Sequence, residues 1–151
     1  MTTSDGISTE DWDTVHELTV DLVNAGERPD EEECRHRLFE YLDELEEKYG
    51  ARPSILATRA DFIVGDVPRK LELLGRAYAL AGAAGDARNQ LHIASSLAEL
   101  HIEEHGDTNA GSMWLSRAKD SLDQIGNDVD RREYDRARDA LERLRLRKDH
   151  V

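Results

Sequence analysis

Cysteine appears once in this chain of 151 residues, at Cys34. An internal disulfide is therefore excluded, and a lone thiol fits a reducing compartment. Long hydrophobic runs are missing: no stretch approaches the roughly 20 apolar residues that cross a bilayer. Met1 to Glu10 are polar, without the apolar run of a secretory leader. The expectation is a cytoplasmic protein with no membrane partner. Positive charge is scarce as well. Against 33 acidic residues stand 20 basic ones, a net charge of -13. Such a surface repels phosphate backbones and anionic lipid, so nucleic acid is set aside as a partner. Proline occurs three times, at Pro29, Pro53 and Pro68, each placed to open a helix or lie in a loop. No segment alternates β-branched and polar residues as a strand would. What remains is an all-α chain, long enough to bury a core as one domain.

Apolar residues recurring at helical spacing, bounded by Gly and Pro, predict seven helices. They span Thr9–Ala25, Asp30–Tyr49, Ser54–Val64, Pro68–Ala84, Ala87–His105, Thr108–Ile125 and Val129–Arg147. Residues 1–8 are expected to be a flexible lead-in, 9–147 one helical domain and 148–151 a tail. The acidity is uneven. Residues 1–50 carry 16 acidic and 4 basic groups, whereas the last helix ends in Arg143, Arg145, Arg147 and Lys148. A basic helix end suits the helix dipole. The acidic end suits a basic partner, the basic end of another copy, or a saline cytoplasm. The seventh helix has a narrow apolar stripe and alternating charges, as a solvent-facing cap requires.

Gly65-Asp66, Gly85-Asp86, Gly106-Asp107 and Gly126-Asn127 lie 20, 21 and 20 residues apart. Each couples a helix-ending glycine to a residue that starts the next helix. Gly26, Gly65 and Gly106 are 39 and 41 residues apart, so the period is one helix hairpin, as in a helical solenoid. Twelve residues after these glycines come Leu38, Ala77 and Ala118. Leu73-Leu74 and Trp114-Leu115 follow the second and third at eight and nine residues. Ala57-Thr58-x-x-Asp61-Phe62, Leu97-Ala98-x-x-His101 and Leu18-Thr19-x-x-Leu22 precede the turns. On these residues, over about 12–126, the chain resembles the tetratricopeptide repeat (TPR) family in its longer-repeat form. It departs from that family in lacking the first-helix Trp and Gly-Tyr signatures. It also has Glu31 and Lys70 where a small residue is wanted; Gly111 conforms. A rival pairing joins the fourth helix to the fifth and the sixth to the seventh, because Leu74-Gly75-x-x-Tyr78 also resembles the first-helix motif. A non-solenoid helical bundle is a further alternative.

The resemblance implies a TPR-like superhelix of three antiparallel hairpins plus a capping helix, with a concave groove for a protein or peptide partner. Partner-binding positions fall at His16, Val20 and Val23, at Arg52, Ile55, Arg59 and Phe62, and at Ser96, Leu100 and Glu103. The two arginines and the apolar groups suit an acidic-hydrophobic peptide. His16 and Val20 stand where carboxylate-clamping members carry a basic residue and Asn, so that subtype is not expected. The alternative function is a homo-oligomeric assembly protein joined through its oppositely charged ends. A distant alternative reads His101-Ile102-Glu103-Glu104-His105 as H-x-x-E-H, with His101 and His105 on zinc and Glu104 as base. No clear third ligand follows it, and His101 reads better as repeat packing. Cys34 lies on an apolar stripe and reads as a small buried hydrophobe. Ala81-Gly82-Ala83-Ala84-Gly85 lacks the Lys-Ser/Thr of a phosphate loop. Trp12 and Trp114 read as core. The expectation is a non-catalytic protein with no metal and no cofactor.

Overall fold

The computed structural model describes residues 3–126 and 130–149. Among these the chain is all-α: α1 (Thr9–Ala25), α2 (Glu31–Tyr49), α3 (Pro53–Phe62), α4 (Val67–Ala83), α5 (Ala87–His105), α6 (Thr108–Ile125) and α7 (Arg131–Asp149). No helix among the described residues is long and apolar enough to cross a membrane.

The Gly-Asp pairs set the helix ends. Asp66, Asp86 and Asp107 each accept a hydrogen bond from the backbone N–H three residues on, which satisfies one free donor of the new helix. Gly106 takes left-handed dihedrals of φ 57° and ψ 30°. Its N–H reaches the Ile102 carbonyl at 3.1 Å, and the Asp107 N–H reaches that of His101 at 3.2 Å. One dipeptide thus closes α5 and opens α6. Asn127, of the fourth pair, and Val129, the expected start of α7, lie outside the described residues. α3 stops at Phe62 rather than Val64, because Ile63 turns extended and packs on the core. α7 runs through Asp149, so Lys148 is helical rather than part of a tail, and its Nζ donates to the Gly106 carbonyl at 2.7 Å.

The helices pack in sequence order. α1 lies on α2, α3 on α4 and α5 on α6, while α4 and α7 also pack on α5. α2 touches α3 more lightly. The core is a relay of clusters. Val15, Leu22, Leu38, Leu42 and Ile55 join α1, α2 and α3. Leu56, Leu73, Ala77, Ile93 and Leu97 join α3, α4 and α5. Leu91, Ala94, Ala118 and Leu122 join α5 to α6. Ala98, Ile102, Ala137, Leu141 and Leu144 join α5 to α7. The three positions twelve residues after the turn glycines, Leu38, Ala77 and Ala118, are each 0% exposed. Trp114 is half-buried and packs edge-on against Tyr78 of α4, with ring centroids 5.1 Å apart. Trp12 and Cys34 are half-buried against the first cluster.

Residues 3–8 do not hang free. Ile7 is fully buried with the first cluster. Asp5 Oδ2 accepts from the Ser54 N–H at 2.7 Å, so the segment caps α3. Asn89, buried at the start of α5, donates through Nδ2 to Ser4 Oγ, Ser54 Oγ and Asp86 Oδ2. A flexible lead-in was the expectation because this stretch is polar. The polar groups instead satisfy one another against the starts of α3 and α5.

Candidate functional site

α3, α5 and α7 each present one side to a shared concavity. It consists of two adjoining pockets of about 380 and 360 Å³ that have His92 in common. In the first, Ser54 and Thr58 of α3 face Arg88, Asn89 and His92 of α5, with Asp130 and Glu133 opposite. Thr3, Ser4 and Trp12 close its far end. In the second, Asp61 of α3 faces Ser96, Leu100 and Glu103 of α5 and Arg136 of α7, with Lys70 of α4 alongside.

Three ion pairs cross along this groove from α5, two to α7 and one to Asp130 just before it. Arg88 lies 3.5 Å from Asp130, His92 Nδ1 lies 2.8 Å from Glu133, and Arg136 Nε lies 2.7 Å from Glu99. The bond to Glu133 raises the His92 pKa, against burial that would lower it. Burial pushes Glu133 up, but the bond from His92 and the charges of His92 and Arg136 together outweigh it and hold the carboxyl below its ordinary value. Asp61 makes no hydrogen bond or ion pair among the described residues, and crowding by the groove walls raises its carboxyl. No hydrogen bond joins His92 to Ser96, one turn further along α5.

The expected partner-binding residues divide. Ser96, Leu100 and Glu103 line the groove as read from the sequence. On α3 the groove side is Ser54, Thr58 and Asp61 instead of Ile55, Arg59 and Phe62, about one residue of helical rotation away. Ile55 is fully buried. Arg59 turns to α2, bonded to Asp43 and 3.4 Å from Glu46. Phe62 packs on the first cluster. Arg52 donates through Nε to the Tyr49 carbonyl at 3.0 Å. His16, Val20 and Val23 are exposed on α1 and line neither pocket. Both arginines meant for an acidic peptide are therefore occupied within the chain. His92 was missed, although it lies one and two turns before Ser96 and Leu100 on the same helix face. Extending that stripe backwards is the signal that finds it.

His101 and His105 have ring centroids 6.1 Å apart. Among the described residues no group of three or more His, Cys, Asp or Glu side chains is placed to hold a metal ion. Burial lowers the His101 pKa, consistent with a packing position.

In comparisons with known proteins, no family model, no curated protein and no solved structure matches this chain.

Proposed function

We propose that the protein is a non-catalytic binding module of the TPR-like kind: three hairpins stacked as a short superhelix, capped by α7, holding a protein or peptide partner in the groove of α3, α5 and α7. The observation that carries this reading is the continuous groove around His92, where three ion pairs already join α5 to α7 and to Asp130 before it. A surface held in place before contact loses less side-chain freedom on binding. The hairpin period of the turn glycines and the buried Leu38, Ala77 and Ala118 at equivalent places support the repeat plan. The partner meets Asp61, Ser96, Leu100 and Glu103 rather than Arg52 and Arg59. A cytoplasmic setting belongs to the same proposal and rests on the polar composition and the lone Cys34.

The test is affinity capture from host lysate with three baits: wild type, Ser96→Arg and Arg59→Gln. A protein kept by wild type and Arg59→Gln but lost by Ser96→Arg is the expected result. Equal retention by Ser96→Arg contradicts the groove reading.

A further inference from the structure

α1 and α7 are the two ends of the array. The backbone of α1 approaches only that of α2, and α7 packs only on α5 and α6. Each therefore turns one side outward with no helix against it.

The outward side of α1 is acidic. Glu10, Asp13, Glu17 and Asp21 recur at spacings of three and four, which puts them in one stripe. All four are exposed, none is in an ion pair among the described residues, and α1 contains no Lys or Arg. Beside the stripe stand Val20 at 41% and Val23 at 67% exposure. The last two turns of α7 are the counterpart. Arg143, Arg145 and Arg147 are exposed, also without an ion pair, and surround Leu146 at 59% exposure. No acidic residue interrupts Arg143 to Lys148. Each surface combines exposed apolar side chains with charge mainly of one sign, acidic on α1 and basic on α7, where exposed Glu142 and Asp149 bound the basic run.

We propose that these two surfaces bind each other between copies: the outer face of α1 docks on the C-terminal turns of α7 of a second chain. The chain's own α7 does not approach its α1, so neither surface is satisfied internally. The net charge of -13 opposes association at long range. At physiological ionic strength, however, charges interact over only about 8 Å, and the local match decides. A single exposed ion pair contributes little, so the contact needs several of them together with the valines and the leucine. Such a contact joins unlike surfaces. It leaves one acidic and one basic end free, and the assembly grows as a chain. The groove stays open, so this inference stands apart from the proposed function.

The experiment is sedimentation analysis at physiological ionic strength, with circular dichroism as a check on folding. Wild type is expected to show species above 17.1 kDa that increase with concentration and dissociate at high salt. Glu17→Lys/Asp21→Lys and Arg143→Glu/Arg147→Glu are each expected to remain monomeric, and an equal mixture of the two to associate again. Wild type that stays monomeric at every concentration overturns the proposal. So does association that survives either pair of reversals or high salt, or a mixture that stays monomeric.

Discussion

Gly111 of α6 is buried against Ile102 of α5 and Leu141 of α7. A Cβ there would stand 2.8 Å from Ile102 Cγ1 and 3.5 Å from Leu141 Cδ1. Alanine removes a glycine helix penalty of about 1 kcal/mol and adds crowding of similar size, so Gly111→Ala is expected to leave stability nearly unchanged. Gly111→Leu has no room and is expected to cost about 2 kcal/mol in urea denaturation. Asn89 behaves differently, because its amide is the shared donor of the buried polar network. Asn89→Leu takes away the donor to Ser54 Oγ and leaves Asp86 Oδ2 with the Ser4 hydroxyl as its remaining partner, and a loss of about 1 kcal/mol is expected. The first consequence should be local. Amide exchange at Ile7 should accelerate, because this N–H is held by Thr3 Oγ1 within the segment that the network fastens. Neither role was legible beforehand. Gly111 could be read as conforming to a repeat, but Asn89 and Asp5 form their network only once residues 49 and 85 apart have met.

Helix boundaries were legible because they are written locally: a glycine that leaves the helix is followed at once by an aspartate that caps the next. Helix rotation was not. α3 buries Pro53, Ile55, Leu56, Ala57 and Ala60, which lie around most of its circumference, so no single apolar face says which side is left for the groove. α5 is buried against α4, α6 and α7 at once, and the stripe Ser96–Leu100–Glu103 came only from the TPR resemblance, not from a face visible in its own pattern. α7 read as a cap because its charges alternate; that Asp130, Glu133 and Arg136 cross to α5 needed the packed structure. The His92–Glu133 pair makes this docking sensitive to pH. The folded-state pKa of His92 is raised, so its contribution is fully present below the unfolded value of about 6.5 and fades as pH rises through the folded value. Glu133 is held low, so its share fades only on the acid side. Melting temperature is therefore expected to fall as pH rises from neutral, with α7 amides losing protection first. His92→Phe should flatten that slope. A slope unchanged in His92→Phe would remove the pair from the account.

Across the whole molecule, charge and burial are distributed separately. The acidic excess lies on α1 and α2, the basic turns end α7, and the groove carries both signs, with three ion pairs across it. The net charge excluded nucleic acid as an expected partner but did not locate the groove, because composition carries no position. The proposed partner occupies the face of α3, α5 and α7. A photo-reactive amino acid placed at Ser96 in the groove, and separately at exposed Asp120 on α6, tests this most directly when cross-linked in cells. The account predicts a discrete adduct from position 96, competed away by excess unmodified protein, and none from position 120. Adducts from position 120 alone, or equally from both, would contradict it.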